Sequence, residues 1–310
     1  MPELPEVETV RRGLEARVIG RCVTAVEIAN PLVIVGSPRE FATAITGRRI
    51  KRVLRKGKAL AIALEDDAGR DEVGRYLLLR LGMTGQCVVV PRGLPLAPHT
   101  HVHLVLDAGA LEIRYRDVRR FGRLRACTRQ ELEAVFARLG PDSREITEGE
   151  FFQAMQGRCG AIKSWLMNQQ LLSGLGNIYA DEALFEAQIH PLAQPGRLSP
   201  AAGRSLHRAV KKVLDRAVKL GGTSFSDYLD AEGRPGRFRK RLCVYQRTGQ
   251  PCPRCGQPIR RMVIAGRSTH FCPQCQPRLR RVAVRRGPRR PKPRTARKPR
   301  GRVQKSTAKV

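Results

Sequence analysis

Acidic residues are scarce in this chain of 310 residues, and long apolar runs are missing. Only 27 Asp and Glu stand against 59 Lys and Arg, which gives a formal net charge of +32. No run approaches the ~18 apolar residues of a membrane-spanning helix, and the N-terminus lacks the apolar core of a signal peptide. We therefore expect no membrane partner. The excess of positive charge is typical of a nucleic-acid-binding protein.

A framework of disulfides is also disfavoured by the cysteine count. The chain has nine cysteines, an odd number, and four of them form two Cys-x-x-Cys pairs, which suits a reducing cytoplasm. The spacing of these pairs predicts one tetrahedral zinc site whose closed shell is structural rather than catalytic; its ligands are Cys252, Cys255, Cys272 and Cys275. Two redox dithiols are the alternative, although neither pair lies near a βαβ pattern.

The distribution of apolar residues predicts an α+β multidomain fold. Residues 1–128 form an N-terminal helix followed by short Val, Ile and Leu-rich segments, which predict a β-sandwich. Helical periodicity dominates residues 129–236, and residues 237–276 form the cysteine module. Residues 277–310 predict a disordered tail, because Pro, Arg and Lys cannot bury a core. From Arg285 this tail holds twelve cationic residues and no acid, so it either adds nonspecific DNA affinity or is a solvated tail without a role.

The first residues of the chain, Met-Pro-Glu-Leu-Pro-Glu, carry a candidate nucleophile. Removal of Met1 leaves Pro2 as a secondary amine, and an α-amino group titrates near pH 8, far below a lysine. Such an amine attacks a sugar carbon to give an iminium, as in Schiff-base catalysis. Apolar residues at helical spacing predict a helix here, so Glu3 and Glu6 either cap its dipole or take part in the chemistry.

Two glycine-containing turns have both a structural and a functional interpretation. In the segment from Ser173 to Asp181, the Gly-Leu-Gly-Asn turn before a helix either caps that helix or lets backbone amides and Asn177 approach a phosphate. The segment from Gly266 to His270 is predicted to form the tip of a hairpin between the two cysteine pairs. It is either a solvated turn or a clamp for a phosphate.

Several sequence blocks, in the same order, resemble the bacterial formamidopyrimidine-DNA glycosylases, a repair family that also contains endonuclease VIII. The blocks are PELPEVETVRRGLE, RKGKAL, LGMTG, YRDVRRFGRL, SGLGNIYADEALFEAQIHP, GGTSFSDY and the CPRC and CPQC pairs. The resemblance extends from Pro2 to Gln276. It implies an N-terminal β-sandwich, a helix-two-turn-helix domain and a zinc-finger hairpin, with double-stranded DNA held in the cleft between them.

The same resemblance implies roles for residues near the N-terminus. Pro2 would attack C1′ of the damaged nucleotide, Glu3 would be the acid/base, and Glu6 would support that network. Lys58 would contact the DNA backbone or the lesion, whereas on its own it is one member of a basic run with a solvated face. The remaining DNA-binding positions implied by the resemblance are His99, Arg119, Arg120, Asn177 and Arg267.

A second implied set fills the space that a flipped nucleotide leaves. Met83 would occupy that space, Arg119 would hydrogen-bond the orphaned cytosine, and Phe121 would wedge between neighbouring bases. As isolated residues, Met83 and Phe121 fit an apolar core equally well. The set favours the oxidised-purine branch of the family over endonuclease VIII.

Some positions depart from the pattern of the family. Arg80 replaces a frequent His and Val118 a frequent Pro; both flank the void-filling loops, where they can change the preference for the opposite base. Away from these loops, Asn168 replaces a common Asp, and Gln188 and Gln246 replace common glycines. His99 and His101 match a His-x-His-Val element, for which we expect no second metal.

The function implied is that of a bifunctional glycosylase and abasic-site lyase of base excision repair. It would excise oxidised purines such as 8-oxoguanine and formamidopyrimidines, then cleave the strand by β,δ-elimination, without a redox or nucleotide cofactor. We expect a monomer at the nucleoid in a bacterial cytoplasm, acting on duplexes with oxidised bases or abasic sites. The alternatives are an endonuclease VIII-like enzyme for oxidised pyrimidines and a non-catalytic DNA-binding protein with Met1 retained.

Overall fold

The computed structural model describes residues 2–66, 74–107, 110–225 and 227–278. Met1 and the expected basic tail from Arg285 lie outside the described residues. No helix in the described ranges is long and apolar enough to cross a membrane.

The N-terminal part of the described chain consists of two helices and an antiparallel sheet. The helices are α1 (Leu4–Val18) and α2 (Pro38–Ile45). The strands are β1 (Cys22–Ile28), β2 (Arg48–Lys56), β3 (Ala59–Asp66), β4 (Arg75–Arg80), β5 (Gly85–Pro91), β6 (Thr100–Leu106), β7 (Leu111–Asp117) and β8 (Arg123–Cys127). Their order in the described sheet is β5-β7-β6-β1-β2-β3-β4-β8, so β5 and β8 are its edges.

The predicted sandwich is built from one continuous sheet. Alternate residues of all eight strands, such as Val89, Ile113 and Leu124, contribute to a single apolar cluster with α1 and α2. Since side chains alternate between the faces of a strand, one face of the whole sheet curves around this core. The turns between strands at one end of the sheet are therefore brought close to the start of α1.

Helix α1 connects two cores. Its residues Val7, Val10 and Leu14 belong to the core of the sheet, whereas Leu4 belongs to the core of the helical region. Burial of each such side chain stabilises the fold by about 1.5–3 kcal/mol. Because one helix is fixed by both cores, the residues that precede it, Pro2 and Glu3, are held at the junction between them.

The helical region follows the sheet, as the periodicity predicts. Its helices are α3 (Arg129–Ala137), α4 (Glu148–Met155), α5 (Ile162–Met167), α6 (Asn177–Glu186) and α7 (Pro200–Lys219). Helices α5 and α6 are joined by the two turns of residues 168–176, and both pack in a core with α4 and α7. This arrangement places the N-terminus of α6 at the glycine-containing turn.

A two-stranded hairpin, β9 (Arg260–Ile264) and β10 (Arg267–Phe271), lies between the two cysteine pairs. The prediction of a hairpin tip over residues 266–270 was wrong in extent. Only Ala265 and Gly266, both with positive φ, form the tip, and the residues from Arg267 onward are strand. Thr269 and His270 are buried because β10 packs against α6.

Candidate active site and DNA-binding surface

Pro2 lies at the wall of a cavity of about 300 Å³ at the junction between sheet and helices. The side chain of Lys58, from the turn between β2 and β3, lines the same cavity. The other lining residues are Val7, Ala59, Arg80, Leu81, Gly82, Leu139 and Gln169. The cavity thus brings together the predicted nucleophile, the predicted lysine and the backbone that leads into Met83.

The carboxylate of Glu3 caps the N-terminus of helix α6. Its Oε2 accepts hydrogen bonds from the backbone N–H of Gly176 at 2.7 Å and of Tyr179 at 3.4 Å, and Oε1 accepts from Ile178 N at 2.9 Å. A Cβ on Gly176 would lie 2.4 Å from Cδ of Glu3, so this turn requires glycine. The amides of Gly176, Ile178 and Tyr179 therefore bind Glu3 and not a phosphate, whereas the phosphate-binding role of Asn177 stays a prediction.

Glu6 is buried beside Glu3 and is surrounded by donors. Its Oε2 accepts from Glu3 N at 2.8 Å, and its Oε1 accepts from Tyr179 Oη at 2.5 Å and from Thr223 N at 2.7 Å. Burial, with the charge of Glu3 as the second cause, raises the pKa of Glu6 to about 7, against the opposing effect of these donors. The net effect is a carboxyl that exchanges its proton near neutral pH, one hydrogen bond from the backbone of Glu3.

Lys58 is half-buried, which excludes the interpretation of a fully solvated basic face. Burial lowers its pKa, while the negative charges of Glu3 and Glu6 raise it and the positive charge of Arg267 lowers it. The charges of Glu3, Glu6 and Arg267 thus act on the Lys58 ammonium from other segments of the chain. A turn of the sheet, the N-terminus and the zinc-finger hairpin therefore meet at one centre.

Asn177 and Arg267 lie at the edge of this centre. Asn177 is the first residue of α6, next to the amides that bind Glu3, and its Oδ1 is buried without a hydrogen-bond partner among the described residues. The side chain of Asn177 hydrogen-bonds Tyr245, which opposes the rise in the pKa of Tyr245 that burial causes. Arg267 is exposed at the start of β10. Its exposed guanidinium is therefore available to a phosphate beside the start of α6.

The side chains of Met83 and Phe121 are exposed, 37% and 55% respectively, so neither is part of an apolar core. They lie on two turns, between β4 and β5 and between β7 and β8. The guanidinium of Arg119 stacks over the ring of Phe121 at 4.6 Å. Val118, beside them, is also exposed. A large apolar ring and a cation are thus presented together to solvent.

A buried carboxylate, Asp117, organises both of these turns. It accepts hydrogen bonds from Thr84 Oγ1 at 2.5 Å, from Gly122 N at 2.7 Å and from Arg119 N at 3.3 Å, and Tyr115 Oη donates to it at 3.1 Å. Thr84 Oγ1 accepts a further bond from Arg119 N at 3.0 Å. Sequence reasoning did not identify Asp117, although a lone Asp at the end of a strand, followed by a tight turn, was a usable signal.

The two other predicted DNA-binding positions lie on the turns at this end of the sheet. His99 and Arg120 are exposed and both have positive φ, 64° and 55°. The carbonyl of His99 accepts from Asp117 N at 3.0 Å, while His101 Nε2 contacts Asp117 O at 2.8 Å. These contacts are structural, and within the described residues only the cysteine cluster has the geometry of a metal site.

The zinc-finger hairpin is fixed to the helices by a buried ion pair. Lys163 of α5 pairs with Asp181 of α6 at 2.7 Å and donates to Ser268 O at 2.8 Å and to Thr269 Oγ1 at 2.9 Å. Asp181 also accepts from His270 N at 2.8 Å. These bonds set the position of β10, and therefore of Arg267, relative to the N-terminus of α6.

The four predicted zinc ligands come together. The thiol sulfurs of Cys252, Cys255, Cys272 and Cys275 all lie within 4.8 Å of one another. Arg254 N lies 3.4 Å from Cys252 Sγ, and Cys275 N lies 3.4 Å from Cys272 Sγ, so a backbone amide in each pair points at a sulfur. Such donors stabilise thiolates, and the set fits one structural zinc ion.

Comparison with known proteins matches three consecutive parts of the chain to family models. Residues 1–124 match the formamidopyrimidine-DNA glycosylase N-terminal domain, and residues 139–228 match the H2TH domain of the same enzymes. Residues 249–278 match the zinc finger found in FPG and IleRS.

Relatives and solved structures extend this similarity over most of the chain. The formamidopyrimidine-DNA glycosylase of Desulforamulus reducens is 42% identical over 277 residues, which covers 86% of this chain and 95% of the relative. The Solibacter usitatus enzyme is 43% identical over 265 residues, covering 85% and 95%.

Among solved structures, the complex between the Lactococcus lactis Fpg and a DNA that contains an abasic site has a TM-score of 0.81 at 34% identity, covering 89% of this chain and 100% of that one. The Thermus thermophilus protein has a TM-score of 0.76 at 41% identity, covering 89% and 98%. The chain belongs to the formamidopyrimidine-DNA glycosylase family.

Proposed function

We propose that Pro2 is the nucleophile of a bifunctional DNA glycosylase and abasic-site lyase that excises oxidised purines. Membership of the family makes the chain a DNA glycosylase of base excision repair. The observation that carries the finer assignment is the shared cavity of Pro2 and Lys58, with the carboxylate of Glu3 fixed on α6 beside it.

The first step forms a bond between the Pro2 nitrogen and C1′ of the flipped nucleotide. The C1′–N bond to the damaged base breaks, and the base leaves with the bonding electron pair and takes a proton from solvent water. Glu3 takes the proton that the attacking amine loses. Its Oε1 accepts one N–H among the described residues, which leaves an acceptor position for this proton. The same proton passes to O4′ as the C1′–O4′ bond breaks, and the nitrogen lone pair completes the iminium.

The iminium then acidifies the adjacent carbon. Loss of a C2′ proton sends electrons toward the positively charged nitrogen, and the 3′ phosphate leaves; a second elimination releases the 5′ phosphate. Lys58 and Arg267 provide positive charge near the leaving phosphates, and the exchangeable proton of Glu6 lies one hydrogen bond from the Glu3 backbone. The product is a gap of one nucleotide.

The side chains of the exposed turns assist base extrusion by filling the space that the base leaves. Removal of a base from the stack costs a few kcal/mol unless protein groups fill the void. Met83, Phe121 and Arg119 are exposed at one edge of the site and are supported by the same anchor, Asp117. This combination supports a preference for a lesion opposite cytosine, with Arg119 as the hydrogen-bond donor to that base.

The substrate is double-stranded DNA, in keeping with the Lactococcus lactis relatives, whose structures are complexes with DNA containing Fapy-dG, an abasic site or an oxidised pyrimidine. The mature protein then acts as a monomer at the nucleoid of the bacterial cytoplasm, where its positive charge favours DNA. Zinc serves only to hold the hairpin.

The test is excision measured on a panel of duplexes. The panel contains 8-oxoguanine, a formamidopyrimidine and thymine glycol, each opposite all four bases, under single-turnover conditions. The proposal expects the purine lesions opposite cytosine to react fastest, and Arg119→Gln to reduce the discrimination between opposite bases. A faster reaction with thymine glycol would instead support the endonuclease VIII-like alternative.

A further inference from the structure

An open recess of about 810 Å³ lies at the opposite end of the sheet from the active site. It is bounded by the segment Val35–Ser37, by helix α2 and by the ends of β2, β4 and β8. In the register of β2 with β3, Lys56 pairs with Ala59 at the Lys58 turn, whereas Arg48 pairs with Asp66. Lys56 is eight residue steps along the strand from Arg48, which is about 26 Å.

The recess is basic. Four elements each contribute one arginine to its lining, and the arginines are Arg39, Arg48, Arg75 and Arg125. The lining also contains Glu40 and Glu131, and Glu131 is paired with Arg125. The side chains of Arg39 and Arg75 make no hydrogen bond or ion pair with any residue that the structure describes. With respect to the described residues, these two guanidinium groups are therefore open to an acidic ligand.

One wall of the recess is the edge of the sheet. Strand β8 pairs only with β4 in the described sheet, and on its other side Leu124 O accepts a hydrogen bond from Val35 N at 2.8 Å. Residues two apart on a strand direct their backbone groups to the same side. The N–H and C=O of Ala126 therefore also point outward, and Ala126 lines the recess.

The remaining lining includes apolar side chains. Val35, Ala44, Ala126 and the largely buried Phe41 are part of the lining. An extended peptide in such a groove adds a strand to the edge through its backbone, and its alternating side chains face the floor and the rim. The combination of an open strand edge, an apolar floor and a cationic rim matches a peptide with alternating apolar and acidic residues.

We propose that this recess is a docking site for an extended acidic segment of a partner protein, which pairs with the outer edge of β8 at Ala126. Charge complementarity with the arginines selects the acidic side chains, and the strand edge selects the extended backbone. At about 26 Å from the Lys58 turn, the site leaves the DNA-binding cleft free, so partner and DNA bind together.

The experiment uses the full chain saturated with a duplex that contains an uncleavable abasic-site analogue, so that the cleft is occupied. The probe is a fluorescently labelled ten-residue peptide of alternating Val and Glu, with the Val–Lys peptide as its control. Binding is followed by anisotropy, and the site is mapped by the shift of the Ala126 amide resonance.

The decisive variant is the pair Arg39→Gln with Arg75→Gln. Because two charge-assisted contacts are removed, affinity for the Val–Glu peptide is expected to fall at least about tenfold. The matched control is Arg204→Gln with Arg208→Gln on the exposed face of α7, which removes the same charge elsewhere and should change affinity less than about twofold. Excision is expected to be unchanged in both.

Backbone pairing is tested by Ala126→Pro, which removes the outward N–H at an edge position where proline is tolerated. This variant should lower the affinity for the Val–Glu peptide, although Arg39 and Arg75 are unchanged. Equal losses in the Arg39/Arg75 and Arg204/Arg208 variants would reduce the effect to general attraction by the net charge and overturn the proposal. The proposal would also be overturned if the Arg39 and Arg75 substitutions weakened the binding of a twelve-nucleotide single strand but not of the Val–Glu peptide. The recess would then bind nucleic acid.

Discussion

The proposed catalytic centre and the turns proposed to fill the void in the duplex are held in opposite ways. At the centre, the carboxylates of Glu3 and Glu6 are buried, and each is bonded to backbone amides of other segments. At the turns, the side chains of Met83 and Phe121 are exposed, while a single buried residue, Asp117, fixes the backbone beneath them.

This difference fits the roles proposed for the two regions. Groups that transfer protons need a fixed distance to the reacting atoms, so their positions are set before DNA binds. Side chains that replace a base find their partners only in the duplex, so they stay exposed until then. The buried Asp117 fixes the backbone beneath those side chains. Less conformational entropy is therefore lost when DNA binds.

The largest effect is expected from a substitution at the buried centre that contains Glu3. Glu3→Gln keeps an oxygen acceptor for the α6 amides but loses the proton-transfer group, so single-turnover excision should fall about 10²–10⁴-fold. Affinity for an abasic-analogue duplex should stay within a few-fold, and this binding measurement is the control. Excision within about tenfold of the unmodified protein would assign the acid/base role elsewhere.

The next effect is a pH dependence of stability that originates at Glu6. Its pKa is raised to about 7 in the folded state, against an ordinary value of 4.5, so the folded state binds more protons than the unfolded state between these values. The free energy of unfolding should therefore fall by about 3 kcal/mol as the pH rises from 4.5 to 7. Chemical denaturation across this range should show a flatter profile for Glu6→Gln, and equal profiles would contradict the shifted pKa.

Loss of the metal site is expected to affect DNA binding rather than the sheet. Cys272→Ser should remove zinc and weaken DNA binding about 10- to 100-fold, because β10 and Arg267 lose their position. Cys159→Ser, at an exposed cysteine outside the cluster, is the matched control. Elemental analysis and hydrogen exchange of strands β3 and β4 provide the readouts. Active protein without zinc would refute the assignment.

The smallest effect is expected from substitutions at the exposed turns and at their buried anchor. Phe121→Ala and Asp117→Asn should each slow excision of a paired lesion about tenfold, since the cost of extrusion is less well compensated. Cleavage of a preformed abasic site should be nearly unchanged, because no base has to leave the stack. Asp117→Asn alone should also lower the free energy of unfolding, by about 1–3 kcal/mol. The NH₂ group of the new amide would face the donors whose hydrogen bonds the carboxylate accepted. Equal slowing on both substrates would place these residues in the chemistry instead.

The sequence predicted the helices of the helical region well and the elements of the N-terminal part unevenly. The regular apolar spacing of Glu148–Met155 and Cys22–Ile28 predicts a helix and a strand, and these are the bounds of α4 and β1 in the structure. Strand β2 was missed because Arg and Lys dominate it, with Ile50 and Val53 as its buried residues. Helix α2 was missed as well, although Ser37 and Pro38 are ordinary signals for a helix start.

Contacts between segments distant in sequence could not be predicted. Nothing in the local sequence indicates that Glu3 would cap a helix 173 positions later, or that Lys163 would pair with Asp181 beneath the hairpin. These bonds depend on how the sheet, the helices and the finger pack. The resemblance supplied the identities of the candidate residues, and the structure supplied the hydrogen bonds that hold them.

The central claim is that the N-terminal amine of Pro2 performs the chemistry, and trapping with borohydride tests it most directly. Protein and a duplex containing 8-oxoguanine are mixed with borohydride, which reduces an iminium to a stable amine, and the cross-linked peptide is identified by mass spectrometry. The account predicts a cross-link on Pro2 of a chain that has lost Met1, and its disappearance on pre-acetylation of the amine. A cross-link on Lys58, or on any other lysine, would contradict it.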